Sequence, residues 1–292
     1  MNVFYNYEKV ESAGRAQAPI GVFDSGAGGL TILSALQKEL PYENYTYFGD
    51  TAYCPYGMRS ASEIVELSIR ANRFLIERGV KLIVVACNTV SLVALDRLGS
   101  TFSVPFVGVI PAVKLAAQTT KKGRIGVAAT YLAAKSTYLR RLIDEFAEGI
   151  QVYTIGCPEL VTLVESCELD GPVVEQAVRH AMQPLLEEDV DVIVLGCTHF
   201  PALRPIIEHV SGHHVQVIDS TLAVVHYAQL VLDTEALIYP VSPDQTNCGE
   251  IEVWCSGDPI AFSKVASKLL GYTVFAHQTQ PERVLSETIL VE

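Results

Sequence analysis

Short apolar runs alternate along the chain with longer stretches in which apolar positions recur every three or four residues. The first kind predicts strands and the second amphipathic helices, and their alternation is the pattern of βαβ units around a mostly parallel sheet. Strands are predicted over residues 20–23, 45–48, 82–86, 104–109, 125–128, 152–155, 192–196 and 215–218. These runs are apolar almost throughout, as expected of strands covered by helices on both faces. The clearest helix follows Ser60, where Ser60 and Glu63 have the spacing of a capping box. Ile64, Leu67, Ala71, Phe74 and Leu75 then recur at helical spacing.

A distant repeat overlies this alternation. Residues 80–89, VKLIVVACNT, match residues 190–199, VDVIVLGCTH, and align Cys87 with Cys197 at an offset of 197 − 87 = 110. Residues 20–25, IGVFDS, resemble residues 125–130, IGVAAT, at an offset of 105. Buried parallel strands resemble one another, so the strands alone carry little weight. A cysteine closing the strand in both copies, followed by hydroxyl or amide residues, carries more. Two βαβ lobes of similar plan account for both matches.

Length and composition agree with two lobes: 292 residues suffice for two domains of roughly 130–150 residues each. With 49% hydrophobic and 18% charged residues, there is material for two cores and no sign of global disorder. The net charge is 21 − 33 = −12, and the tightest basic groups are Lys121-Lys122 with Arg124, and Arg140-Arg141. Neither is large enough for a phosphate-binding stripe, so no nucleic-acid partner is expected. No apolar run approaches the roughly 18–20 residues that span a bilayer, and residues 1–18 lack the features of a secretory signal, so no membrane association is expected. The seven cysteines, at 54, 87, 157, 167, 197, 248 and 255, are odd in number and irregularly spaced, with no CxxC. That usage fits a reducing cytoplasm better than a disulfide framework.

In open α/β sheets, ligands bind beyond the carboxyl ends of the strands, and both Cys87 and Cys197 fall there, where a helix should begin. A helix N-terminus favours a thiolate, so both thiols are expected at lowered pKa. Cys54, Cys157, Cys167, Cys248 and Cys255 read instead as small inert hydrophobes. Two thiols facing each other across a cleft suit inversion at a carbon acid, one removing the proton and the other donating from the opposite side. Two other chemistries stay open: a zinc site of Cys87, Cys197 and His199, and a hydrolase with Cys197 as nucleophile and His199 as base. The loop 24–29, DSGAGG, has neither a GxGxxG pattern nor a Walker lysine, which argues against a nucleotide. Its backbone N–H groups suit a carboxylate, and Asp24 could hold an ammonium or orient a thiol. The turn Pro55-Tyr56-Gly57 could bind a second carboxylate, and Asn88, Thr89 and Thr198 add neutral donors. Such a pocket fits an amino dicarboxylate.

The segments IGVFDSGAGGLTIL (20–33), YFGDTAYCPYG (47–57), VVACNTVS (84–91), VGVIPA (107–112) and LGCTHFP (195–201) closely resemble those of bacterial glutamate racemases, as does SGDPIAFSKVASKLLG (256–271). The resemblance implies an isomerase that needs neither pyridoxal phosphate nor metal and makes D-glutamate for peptidoglycan. It implies Cys87 and Cys197 as the catalytic pair, Cys87 handling the α-proton of D-glutamate and Cys197 that of L-glutamate. Substrate contacts carry over to Asp24, Ser25, Tyr56, Gly57, Asn88, Thr89, Thr198 and His199, with Asp24 and His199 assisting the thiols. The implied fold is two pseudo-symmetric α/β domains, mostly parallel, with the active site in the cleft between them. Residues 19–112 with 222–292 would form one domain, 113–221 the other, and 1–18 an N-terminal extension similar to that of precursor-regulated members. A homodimer and a peptidoglycan-precursor effector stay open as partners. Three departures stand out: Cys54 before the Pro-Tyr-Gly turn, Phe200 where tyrosine is usual, and Ala128-Ala129-Thr130 where Ile-Gly-Thr is usual. An aspartate or hydantoin racemase, and a two-lobed protein that binds an amino acid without chemistry, are the alternatives.

Overall fold

A computed structural model of the chain describes residues 12–242 and 247–280. Its strands are β1 (Ile20–Asp24), β2 (Tyr45–Gly49), β3 (Leu82–Val85), β4 (Phe106–Gly108), β5 (Arg124–Ala129), β6 (Gln151–Gly156), β7 (Val192–Gly196), β8 (Gln216–Ile218), β9 (Ile251–Cys255) and β10 (Ala276–Gln278). They form a six-stranded sheet in the order β10-β9-β2-β1-β3-β4 and a four-stranded sheet in the order β6-β5-β7-β8. Every pairing is parallel.

The first eight strands fall where the apolar runs predict them, and burial explains why those runs are legible. In the larger sheet Ile20, Val22, Leu82 and Val84 point into one layer with Leu30, Leu33 and Leu36. Their neighbours Phe23, Ile83 and Val85 point into the other layer with Ile64, Leu67 and Leu75. Successive side chains alternate faces, so a strand covered on both sides must be apolar at every position. β9 and β10 were not expected. They sit at one side of the sheet, β10 at its edge, where Glu252, Trp254 and His277 interrupt the apolar pattern.

Without β9 and β10 the larger sheet reads β2-β1-β3-β4, the same order, strand for strand, as β6-β5-β7-β8. The repeat at offsets of 105 and 110 places β1 on β5 and β3 on β7, so it is a repeat of topology and not only of strand composition.

The helix after Ser60 spans Ala61–Glu77 with the reciprocal capping box in place: Glu63 N donates to the Ser60 hydroxyl and Ser60 N to the Glu63 carboxylate. From helix Thr221–Thr234 onward the chain returns to the larger sheet, packing on helix Leu30–Glu39 and then adding β9 beside β2. Lys81 and Glu43 form a buried ion pair, and Lys81 Nζ also donates to the Ala16 carbonyl at 2.6 Å, pinning the short helix Ser12–Ala16. Residues 1–11 of the expected extension and the terminal 281–292 lie outside the described residues. No described helix is long and apolar enough to cross a membrane.

Candidate active site

The carboxyl ends of β1, β3 and β7 converge on one cleft. It is lined by Ser25, Tyr56, Gly57, Cys87, Asn88, Thr89, Cys197, Thr198 and His199 from the expected set, and also by Pro158, Val161, Thr130 and Tyr131. Asp24 is fully buried beneath the cleft.

Cys87 caps helix Asn88–Val93 directly after β3, and Cys197 opens the turn after β7. Both are buried, 5% and 4% exposed. Their surroundings differ. The Cys87 sulfur meets the Ser25 hydroxyl at 3.5 Å. Burial, reinforced by the nearby Asp24 carboxylate, pushes the Cys87 thiol up to about 12, against the weaker pull of the Ser25 bond. The lowered pKa expected at a helix N-terminus is therefore not found at Cys87, because the cost of desolvating the thiolate exceeds what one short helix offers.

Cys197 faces the Nδ1 edge of His199 at 3.6 Å. The other edge, Nε2, contacts Glu165 Oε1 at 2.5 Å. Burial alone would lower His199, but its bonds to Cys197, Cys54 and Glu165 hold it well above the usual histidine value. Glu165 would be raised by burial, yet the bond from His199 and its charge leave it below the usual carboxylate range. The two directions agree on an imidazolium paired with a carboxylate, which puts an N–H donor against the Cys197 sulfur.

The glycine loop meets this group closely. A Cβ on Gly28 would stand 2.7 Å from the backbone nitrogen of His199, so only glycine lets the loop press against the other lobe. Its amides, expected to receive a ligand carboxylate, are largely taken by protein carboxylates. Gly26 N and Gly29 N donate to Asp24 Oδ2 at 3.3 and 2.9 Å, and Ala27 N donates to Glu165 Oε1 at 2.7 Å. Similarly, the Tyr56 hydroxyl donates to Asp50 at 2.5 Å, which leaves the backbone of the Tyr56-Gly57 turn for a ligand. Burial raises Asp50 despite its bonds from Ser256 and Tyr56.

Neutral groups surround the thiols as expected. Thr89 and Thr130 share a hydroxyl hydrogen bond at 3.0 Å, and Thr198 Oγ1 donates to Asp24 Oδ1 at 3.4 Å. Asn88 lines the cleft with a buried Nδ2 that finds no acceptor among the described residues. A buried amide donor left unpaired costs free energy unless a ligand accepts from it.

Glu165, Thr130 and Cys54 are among the residues of the site outside the expected set. Glu165 arrives from the end of helix Pro158–Glu165, with no local signal that it would reach His199. Thr130 was signalled, because it occupies the repeat position of Ser25. Cys54, read as inert, lies against His199 and Glu165. Among the described residues, the side chains close enough to share one ion are Cys54, Glu165 and His199, and not the set of Cys87, Cys197 and His199.

Residues 32–228 match a family model described as Asp/Glu/Hydantoin racemase. The glutamate racemase of Herpetosiphon aurantiacus is 47% identical over 247 residues, covering 85% of this chain and 96% of that one. A solved glutamate racemase of Bacillus anthracis superposes with a TM-score of 0.81 at 34% identity, over 91% of this chain and 98% of that one. The Escherichia coli glutamate racemase, solved with L-glutamate and the activator UDP-MurNAc-Ala, gives a TM-score of 0.76 at 32% identity, over 86% and 95%.

Proposed function

Because the chain belongs to the Asp/Glu/hydantoin racemase family, we propose that it interconverts L- and D-glutamate with two thiols, Cys197 and Cys87, acting from opposite faces of the α-carbon. The enzyme is an isomerase, and its curated relatives are glutamate racemases. One observation carries the two-thiol reading: Cys87 and Cys197 stand on corresponding strand ends of two lobes with the same strand order, and both line one cleft.

In the L-to-D direction Cys197 takes the α-proton. The imidazolium of His199 donates to its sulfur at 3.6 Å and so stabilises negative charge there. Cys87, held protonated by burial and by Asp24, delivers its proton to the other face and leaves a thiolate that the Ser25 hydroxyl can bond. The return reaction reverses both roles. Asn88, Thr89, Thr198 and the Tyr56-Gly57 backbone provide uncharged donors for two carboxylates. These hold the two carboxylates through neutral hydrogen bonds. No step uses a cofactor. We assign 19–112 with 222–292 to one domain and 113–221 to the other, a division supported by sheet membership. The role we assign is supply of D-glutamate for peptidoglycan, so cells lacking the protein should need D-glutamate to grow.

The mechanism is tested in deuterated water. Starting from L-glutamate and sampling early, the D-glutamate formed should carry deuterium at the α-carbon, while recovered L-glutamate carries little. Serine at position 87 or 197 should lower turnover by about 10²–10⁴-fold, since the alcohol is a far poorer acid and base partner at neutral pH. Substantial label in recovered L-glutamate, together with one serine variant close to wild type, would show a single base and overturn the paired roles.

A further inference from the structure

We infer that Cys54, Glu165 and His199 form an inhibitory site for a thiophilic divalent cation, Zn²⁺ above all, at the edge of the active-site cleft. The inference goes beyond the two-thiol mechanism, which uses neither Cys54 nor any metal.

One sulfur, one carboxylate oxygen and one ring nitrogen, from three separate parts of the chain, lie within 4.8 Å of one another. That combination of donors is one that tetrahedral zinc accepts. With bonds of about 2.0–2.3 Å, tetrahedral ligands stand roughly 3.3–3.8 Å apart. The Glu165–His199 contact of 2.5 Å would have to widen by about 1 Å, which side-chain rotations provide. Backbone geometry already makes room for this meeting. A Cβ on Gly26 would lie 2.0 Å from Glu165 Oε1 and 3.0 Å from the Cys54 sulfur, so the loop glycine leaves open the space where they converge.

Access is available as well. The Glu165 side chain is 20% exposed and Cys54 is only partly buried, although His199 is enclosed. On binding, Cys54 loses its S–H proton and His199 its Nε2 proton to solvent. Three metal–ligand bonds form with sulfur, nitrogen and carboxylate oxygen, and water completes the fourth position. The thiolate, the carboxylate and the neutral imidazole together balance the charge of the ion. The consequence for turnover is direct. His199 gives up its shared proton with Glu165, and the donor it holds against Cys197 is no longer an imidazolium.

The test uses the full chain, stripped of metal by chelator and dialysed. Racemisation should proceed in this metal-free protein, fall as Zn²⁺ is added, and return with excess chelator. A Cys54→Ser variant, measured against its own metal-free turnover, should require at least about tenfold more Zn²⁺ for half inhibition. Binding is read separately with Co²⁺, whose thiolate charge-transfer absorption should appear in wild type and persist in a Cys87→Ser/Cys197→Ser double variant. It should vanish in Cys54→Ser. Equal sensitivity of wild type and Cys54→Ser to Zn²⁺ would place the ion on the catalytic thiols and overturn the inference, as would absence of the Co²⁺–thiolate band from the double variant. Loss of racemisation in the metal-free wild type would instead count against the cofactor-free mechanism, so the two failures are distinguishable.

Discussion

His199 links the chemistry at Cys197 to a carboxylate that touches no substrate atom in the proposed reaction, which makes Glu165 a positioning residue. Enantiomers have equal free energies, so a Glu165→Gln change must lower kcat/KM equally in both directions. The asymmetry appears elsewhere. With α-deuterated L-glutamate, whose proton Cys197 removes in the proposed mechanism, the primary isotope effect should grow, because that transfer becomes the slower step. With α-deuterated D-glutamate it should stay the same or shrink. Equal growth on both substrates would mean that Glu165 acts on the cleft as a whole. The same pair stabilises the fold. His199 lies above its usual 6.5, so its contribution is complete below that pH and drains away as the pH rises towards the folded value. Glu165 lies below its usual 4.5, so its contribution is complete above that pH and is lost as the pH falls through the folded value. Thermal unfolding of wild type and Glu165→Gln should therefore differ most between pH 4.5 and 6.5, by about 1–3 kcal/mol, and less at pH 9. A difference independent of pH would exclude an ion pair. At this scale the sequence showed the residues on strand ends, where topology itself places side chains in the cleft. It hid Glu165 and Cys54, which enter the site by contacts 34 and 145 positions from His199 along the chain, since 199 − 165 = 34 and 199 − 54 = 145.

Among the elements, a short turn and a short helix help set how closely the lobes meet. The 3-10 turn Tyr56–Met58 from one lobe lies against helix Tyr131–Ala134 of the other, whose N-cap Thr130 accepts from Ala133 N and also bonds Thr89. A Cβ on Gly57 would stand 2.7 Å from the Thr130 Cβ, too close for either backbone to ignore. Gly57→Ala should force the turn and the helix apart by several tenths of an ångström. Misplacement on that scale should lower kcat/KM by about 10–100-fold with little change in Tm, because both cores stay intact. An unchanged kcat/KM would show that catalysis does not need this approach. Strands enclosed on two sides were readable because every position must be apolar. The strands β9 and β10 were not: β10 is the edge, β9 lies next to it and is only partly covered, and both carry polar residues that break the pattern. Helix Ala61–Glu77 was readable from its capping box and spacing together, each reinforcing the other.

Across the whole molecule, the two cysteine-bearing turns belong to lobes of one plan, and the offsets of 105 and 110 carry that plan in the sequence. The return of the last segment to the first sheet was not announced by periodicity; it came only with the family resemblance, since which sheet a strand joins depends on distant pairing. Duplicated architecture has not produced duplicated chemistry, because Cys87 faces Ser25 and Cys197 faces the His199–Glu165 pair. Both sulfurs are also nearly sealed from water, at 5% and 4% exposure. An enzyme that works by the proposed pair of buried thiols should have a memory. In the proposed mechanism, one L-to-D turnover leaves Cys197 with the captured proton and Cys87 without one, so the protein would be set to accept D-glutamate and would have to exchange a proton between the sulfurs before accepting L again. Burial slows that resetting. Let radiolabelled glutamate reach equilibrium between its two forms, then add a large excess of unlabelled L. The flood of L drives the enzyme into its D-accepting state, and labelled D, meeting little competition there, is carried backwards into L. A transient excess of label in L, later relaxing to equality, is the expected trace; a label ratio that never moves would mean that the protein forgets each enantiomer before it meets the next.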